Sequence, residues 1–163
     1  MMRFKLFGAV TALAVVAGLA ASFAPASPVQ AAEADKVLAA RQGLMQIVVR
    51  EAGPLFGMAK GEIAYDAGMA QDRATSLAAI AGYDFDRLFP EGTAKPDLTG
   101  KTRALPAIWE DRDGFRAAYQ EMQEAAAALA ADAGKGKDAM TAAVQALGKS
   151  CGNCHEDYRA EDF

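Results

Sequence analysis

The chain has 163 residues, which is enough for one modest domain. Hydrophobic residues make up 52% of it, so a packed core is feasible and wholesale disorder is excluded. The formal net charge is −4 and Lys and Arg are not clustered. Because binding to nucleic acid requires grouped positive charge, nucleic acid is excluded as a partner.

The N-terminus has the pattern of a secretory signal peptide. Two basic side chains open the chain, an apolar stretch follows over residues 6–23, and small residues precede Ala32. A charged start, an apolar middle and a small-residue exit are typical of a segment removed on export. We therefore expect residues 1–31 to be removed, leaving a periplasmic domain of residues 32–163 without membrane attachment. The alternative is a retained membrane anchor, since the apolar stretch is long for a signal.

Beyond residue 34, apolar residues recur every three or four positions and alanine is frequent, which is typical of helices. The first predicted helix spans residues 35–59. Its apolar stripe shares a face with Arg41 and consists of Val37, Leu38, Leu44, Met45, Val48, Ala52 and Leu55. The second predicted helix begins after Asp66, whose carboxylate suits an N-cap, and continues to about residue 82. Its predicted buried residues are Ala70, Leu77 and Ile80.

Residues 83–105 lack helical periodicity and contain two prolines and two glycines, which predicts a long connection. The third predicted helix begins near Pro106, a residue that suits the first helical turn. A turn at residues 134–137 precedes the fourth helix, for which Asp138 is the predicted N-cap. One side of that helix carries Met140, Val144, Leu147, Cys151, Cys154 and Tyr158. Four amphipathic helices with one long connection predict an all-α fold, an antiparallel up-down-up-down four-helix bundle.

The only two cysteines and the only histidine lie together as Cys151-Gly152-Asn153-Cys154-His155. The spacing C-x-x-C-H is the attachment signature of haem c. On a helix, residues three and four apart share a face, so both thiols and the imidazole point the same way. We therefore predict one covalent haem c, with thioether bonds to the two cysteines and His155 as a ligand of the iron.

Three other uses of the motif are disfavoured. A thioredoxin-like C-x-x-C requires a strand before it and a helix that starts at the motif, and no strand is predicted. A structural zinc site requires four ligands, and two cysteines with one histidine fall short. A structural disulfide between residues this close would close almost no loop and would stabilise the fold little.

With this motif at the end of a four-helix chain, the sequence resembles the cytochrome c′ family, the class II c-type cytochromes. The resemblance extends over about residues 34–159. Besides the haem motif and the Tyr158-Arg159 pair after it, three stretches are similar to the family. They are Arg41-Gln42-Gly43-Leu44-Met45, Leu88-Phe89-Pro90-Glu91-Gly92 and Thr102-Arg103-Ala104-Leu105-Pro106-Ala107-Ile108-Trp109.

The resemblance implies a haem enclosed by the bundle, with the histidine on its proximal side and the first helix over its distal face. Arg41 and Gln42 match family positions along the haem edge. Thr102 and Arg103 match the segment that closes over the haem before the third helix. Arg159 matches a basic residue near the proximal histidine. Dimers built on the first helix are common in the family, so the sequence leaves both a monomer and a homodimer through that helix open.

The family divides at the position that Met45 occupies here. In low-spin members a methionine at this position ligates the iron, and in high-spin members the distal site stays open to small gases. A second histidine ligand is impossible because the chain has one histidine. Met45 lies one turn after Arg41, and residues 58–66 resemble the low-spin members, which favours ligation. The alternative is that Met45 is an apolar filler over an open site.

The predicted function is therefore one-electron transfer between redox partner proteins, without enzymatic activity. The alternative is a cytochrome c′ that binds NO or CO at an open distal site. A peroxidase is disfavoured because no second histidine is present as a distal acid or base, although Arg41 leaves that possibility open.

Overall fold

The computed structural model describes residues 28–163, so most of the expected signal segment, residues 1–27, lies outside the described residues. Helix α1 spans Pro28–Lys60 and begins earlier than residue 35, the predicted start. The predicted start comes from the apolar stripe, which begins at Val37. The helix begins earlier because proline suits a first helical position and alanine favours a helix even where it packs against nothing. The predicted stripe is confirmed, because its members are buried or half-buried while Ile47 and Val49 on other faces are exposed.

Helix α2 spans Ala67–Ala81 and follows its predicted boundaries. The carboxylate of Asp66 accepts a hydrogen bond of 2.7 Å from the backbone N–H of Met69, which confirms the predicted N-cap. Ala70 and Leu77 are fully buried, as predicted. Ile80 is half-buried, so its predicted burial is only partial.

The long connection after α2 contains a 3-10 helix at Phe85–Leu88 and lies against α1. The third predicted helix is divided into a short α3, Ala107–Glu110, and a long α4, Arg112–Asp132. The division falls at Asp111, whose side chain accepts a hydrogen bond from the N–H of Gly114 and caps α4. A strong N-cap within the predicted helix thus begins a new helix.

Helix α5 spans Lys137–Tyr158 and contains the whole C-x-x-C-H motif. Its N-cap is Gly136 and not Asp138, so that prediction is wrong. Gly136 has a φ of 131°, a backbone conformation that favours glycine. Asp138 lies in the first turn instead, where its charge interacts favourably with the helix dipole.

The four long helices form a bundle in which α1 and α4 each pack against both α2 and α5. The core has two parts. The main core is aliphatic and consists of Ala52, Leu55, Met58, Ala70, Ala74, Leu77, Ala81, Met122, Ala126, Leu129, Ala133, Met140, Ala143, Val144 and Leu147. The second part, here called the aromatic cluster, consists of Phe85, Leu88, Phe89, Ala104, Ile108, Phe115 and Tyr158. The long connection therefore adds a second hydrophobic layer to the bundle.

Tyr65 joins two connections of the bundle. Its hydroxyl donates a hydrogen bond of 2.9 Å to the carbonyl of Ala133 and accepts one of 3.0 Å from the N–H of Gly136. The segment between α1 and α2 is thereby held against the turn between α4 and α5.

Among the described residues, no helix combines the length and apolar character that a membrane crossing requires.

Candidate functional site

The C-x-x-C-H motif occupies the last two turns of α5 and faces the junction between the two parts of the core. Cys151 packs against the main core, and Cys154 packs against the aromatic cluster. Both cysteines and His155 are half-buried, whereas Gly152 and Asn153 between the cysteines are exposed. The chemically active side chains of the motif thus share the inner side of the helix, as the spacing predicted.

Before any haem is attached, Cys151 and Cys154 are thiols that form no disulfide with each other. Burial raises the pKa of Cys151, and burial together with the neighbouring Cys151 and Asp157 raises the pKa of Cys154 to about 11. Both thiols therefore keep their protons at neutral pH, unlike the reactive thiolate of a redox-active C-x-x-C. The motif lies inside a helix, and the described part of the chain contains no strand that precedes it. These features contradict a thioredoxin-like site.

His155 is held in its neutral form by its surroundings. Burial lowers the pKa of the imidazole, and the positive charges of Arg159 and Arg103 lower it further. A neutral imidazole has a free lone pair on one ring nitrogen and can ligate a metal. Among the described residues, no group of three or more His, Cys, Asp or Glu side chains is arranged to hold a metal ion. The described side chains therefore offer too few ligands for a structural zinc site. Ligation of a haem iron by His155 requires no such group of side chains, because the porphyrin supplies the other nitrogen ligands.

Met45 lies on α1 and packs, half-buried, against the same aromatic cluster as Cys154. The two residues are more than one hundred positions apart in the sequence, and the bundle brings both to one hydrophobic cluster. Rings of the cluster are in direct contact, with Phe85 and Phe89 edge to face at a centroid distance of 4.8 Å. A thioether from α1 and the haem motif from α5 thus border one apolar region.

Arg41 is buried, with 6% of its surface exposed. Its Nε and Nη2 donate to the carbonyl of Leu88 at 2.9 and 2.7 Å. Nη2 also donates to Thr93 Oγ1 at 2.8 Å, and Nη1 donates at 3.3 Å to the carbonyl of Thr93 and to Thr102 Oγ1. Burial lowers the pKa of Arg41 to about 10, so the guanidinium remains charged at neutral pH.

The charge of Arg41 has no carboxylate partner among the described residues. The guanidinium lies 4.0 Å from the centroid of the Phe89 ring, a favourable but weak partner for a cation. A buried cation without an anion is costly for a folded protein. The arrangement therefore suits an anionic group from outside the chain, such as a haem propionate.

The other predicted site residues fall into two groups. Near Arg41, Gln42 is exposed and donates a hydrogen bond of 2.9 Å to the carbonyl of Lys101, while Thr102 is buried. Near His155, Arg103 donates to the carbonyl of Glu161 at 3.2 Å. Arg159 is exposed and pairs with Ala104 in an isolated antiparallel bridge. The C-terminal residues are thus held against the segment before α3, which brings both arginines to the side of the histidine.

Sequence reasoning did not identify Thr93, which lies in the long connection and is 2% exposed. Its hydroxyl accepts a hydrogen bond from Arg41 and donates one of 2.8 Å to the carbonyl of Pro90. The position lacks periodicity and belongs to no motif, so no local signal marks it. Trp109 is half-buried, and its indole N–H donates to the carbonyl of Phe89 at 3.1 Å. This hydrogen bond ties the long connection to α3.

A four-helix bundle whose last helix carries C-x-x-C-H on its inner side defines a class of protein, the c-type haem proteins of bundle fold. The sequence profile of the Cytochrome C′ family matches residues 36–159 of the chain. The chain therefore belongs to the cytochrome c′ family. Proteins of this family carry a single covalent haem c with its iron, and the chain is a haem protein of this kind.

Individual relatives agree with the family assignment. The chain is 44% identical over 131 residues to a cytochrome c′ of Cereibacter sphaeroides, covering 80% of this chain and 87% of the relative. It is similar in structure to cytochrome c′ from Rhodobacter spheriodes, with a TM-score of 0.76, 43% identity, and coverage of 78% and 98%. A nitric oxide complex of a cytochrome c′ variant from Alcaligenes xylosoxidans is also similar, with a TM-score of 0.67, 26% identity, and coverage of 78% and 97%.

Proposed function

We propose that the protein is a one-electron carrier whose haem c is attached through Cys151 and Cys154. His155 is the proximal ligand of the iron and Met45 is the distal ligand. The haem supplies a metal that alternates between two oxidation states. The chain supplies two ligands, an apolar environment and covalent attachment. A histidine–methionine pair is the usual ligand set of electron-transfer cytochromes c and raises the reduction potential.

The choice of Met45 rests on where the methionines lie. Met58, Met122 and Met140 belong to the main core, and Met69 is 45% exposed. Among the methionines of the described residues, Met45 alone packs against the aromatic cluster that Cys154 also contacts. This shared location of Met45 and Cys154 is the observation that carries the proposal.

Arg41, Gln42, Thr102, Arg103 and Arg159 complete the proposed haem site. The buried charge of Arg41 suits a propionate as its counter-ion, because no carboxylate of the described residues pairs with it. Thr102 accepts a hydrogen bond directly from Arg41. Gln42, the residue after Arg41, donates a hydrogen bond to the carbonyl of Lys101, the residue before Thr102. Burial lowers the pKa of the His155 imidazole, and the charges of Arg159 and Arg103 lower it further, which favours the neutral form that binds iron.

The test is the absorption spectrum of the haem-loaded protein, oxidised and reduced, before and after addition of carbon monoxide. The proposal predicts a low-spin spectrum with a sulfur-to-iron band and no response to the gas. The Met45→Ala variant should lose that band, become high-spin and bind carbon monoxide. The Met69→Ala variant, which removes an exposed methionine, is the matched control and should keep the wild-type spectrum. A Met45→Ala spectrum identical to that of the wild type would contradict ligation by Met45.

The second candidate is the binding of NO or CO at an open distal site. It is supported by the relative whose nitric oxide complex is similar to this chain. It is also supported by the environment of Met45, which is half-buried among apolar side chains and needs no iron to be accommodated there. A high-spin wild-type spectrum that shifts on addition of carbon monoxide would make this candidate the function.

We further propose that the protein works in the periplasm with redox partner proteins, after removal of residues 1–31. The N-terminal pattern of charge and apolar residues supports export. A homodimer through α1 stays a prediction, supported by the exposed apolar side chains of Ile47 and Val49, which are 47% and 66% exposed.

A further inference from the structure

All five N–H groups of Arg41 are directed at the long connection. They donate to oxygen atoms of Leu88, Thr93 and Thr102, which lie 47, 52 and 61 positions away in the sequence. A guanidinium has five N–H donors, so no donor remains for another group while these bonds persist. Arg41 therefore joins three points of the connection to α1 at once.

We infer that Arg41 is a positioning residue that fixes the connection of residues 88–102 against the side of α1 that carries Met45. The inference rests on the proposed haem site, but it assigns Arg41 a role different from direct hydrogen bonding to a propionate. Its charge still favours an anion nearby, whereas its N–H groups hold the chain.

The geometry requires arginine and not merely a positive charge. Nε and Nη2 converge on one carbonyl, that of Leu88, while the two Nη atoms share Thr93 through its hydroxyl and its carbonyl. Only a planar guanidinium presents donors in such a fork, since a lysine ammonium is a single point with three donors. The flat face of the same group lies 4.0 Å from the Phe89 ring centroid, which fixes the connection from a second direction.

The held segment borders the proposed distal side. Leu88 and Phe89 belong to the aromatic cluster, and Met45, one turn after Arg41, packs against that cluster. If the segment moves away from α1, the cluster loses two buried members beside Met45. The position of the connection therefore determines how closed the apolar region around Met45 is.

The first measurement is hydrogen exchange of the haem-loaded protein, followed by mass spectrometry of peptides from residues 88–102. Arg41→Lys keeps the charge and loses the fork, and Thr93→Val keeps Arg41 and removes one of its acceptors. We expect exchange in this segment to become at least tenfold faster in both variants. The matched controls are Arg50→Lys, an exposed arginine on the same helix, and Thr99→Val, an exposed threonine in the same segment. Both controls should exchange at the wild-type rate.

The second measurement is the rate at which the reduced protein takes up carbon monoxide in the Met45→Ala background, in which Met45 cannot occupy the distal site. We expect Arg41→Lys and Thr93→Val in this background to take up the gas at least threefold faster than Met45→Ala alone, with both controls unchanged. The inference would be overturned if residues 88–102 exchanged at the wild-type rate in both Arg41→Lys and Thr93→Val. It would also be overturned if exchange in α2 increased as much as exchange in residues 88–102. Faster exchange without faster uptake would also overturn it, because the segment would then not cover the Met45 side.

The result is separable from the proposed ligation by Met45. The wild-type spectrum alone decides whether Met45 binds the iron. The exchange comparison is made between proteins that carry the same haem, so it holds whether the wild type is low-spin or high-spin.

Discussion

Gly114 lies in the first turn of α4, where the ends of two helices meet close to the haem motif. Its N–H donates a hydrogen bond of 3.1 Å to the Asp111 carboxylate, and the hydroxyl of Tyr158 donates one of 3.1 Å to the same carboxylate. A Cβ at Gly114 would lie 2.6 Å from the Tyr158 hydroxyl and would overlap the Asp111 carboxylate. Gly114→Ala should therefore break a contact that joins the N-terminus of α4 to the end of α5.

The magnitude follows from two opposing effects. Alanine within a helix stabilises it by about 0.5–1 kcal/mol relative to glycine. Displacing Asp111 costs about 1 kcal/mol for the N-cap and about 1–1.5 kcal/mol for the hydrogen bond from Tyr158. The overlap should therefore prevail, with a net destabilisation of about 1–2 kcal/mol. For a domain of this size, that corresponds to a decrease in Tm of about 4–8 °C.

The assay is thermal unfolding of the haem-loaded protein, followed by circular dichroism at 222 nm. Gly43→Ala is the matched control, because Gly43 lies in α1 and a Cβ there meets no atom within 4 Å. This control should raise the free energy of unfolding by about 0.5–1 kcal/mol. The same substitution should thus have opposite signs at the two positions.

A Gly114→Ala variant as stable as Gly43→Ala would refute the reasoning. A second variant locates the cause, since Tyr158→Phe removes the hydroxyl that the new Cβ would meet. In the Tyr158→Phe background, Gly114→Ala should cost about 1 kcal/mol less than in the wild type, which a double-mutant cycle measures. Equal costs in the two backgrounds would show that Tyr158 takes no part.

Two further predictions concern the connections of the bundle. Tyr65→Phe removes a hydroxyl that bridges two backbone groups, so the free energy of unfolding, measured in urea, should fall by about 1–3 kcal/mol. The control Tyr83→Phe, at an exposed tyrosine, should change the free energy of unfolding little. Equal effects of the two substitutions would contradict the bridging role of Tyr65. The hydrogen bond from Arg116 and the charge of Arg112 hold the pKa of Asp86 below its ordinary value. Asp86 therefore stabilises the fold fully above about pH 4 and loses this contribution as the pH falls through its lowered pKa. The stability difference between wild type and Asp86→Asn, from urea unfolding at several pH values, should vanish in acid, and a constant difference would refute the assignment.

The helices and the haem motif could be predicted because their signals are local. The spacing of Cys151, Cys154 and His155 places them on one face of a helix whatever surrounds it. The carboxylate of Asp66 caps α2 through a contact only three residues long. The two wrong predictions at helix starts, residue 35 for α1 and Asp138 for α5, arose where a helix continues or begins without an apolar stripe or a side-chain cap.

The long connection could be located in the sequence but not built from it. Its Pro and Gly residues exclude a helix, yet nothing local shows that Thr93 is buried or that Arg41 binds it. These contacts join residues about 50 positions apart, and their pairing depends on how the helices pack. The same holds for the aromatic cluster, whose members come from the connection, α3, α4 and α5.

The sequence by itself thus determined the helical bundle, the haem attachment motif and the single histidine that can ligate the iron, because each depends on residues close together in the chain. Only the tertiary structure decided that Met45, of all the methionines described, borders the region of Cys154. Only the tertiary structure also showed that the N–H groups of Arg41 form hydrogen bonds to the long connection. Burial and hydrogen bonding between distant segments depend on the packing of whole helices, and a local pattern does not encode that packing.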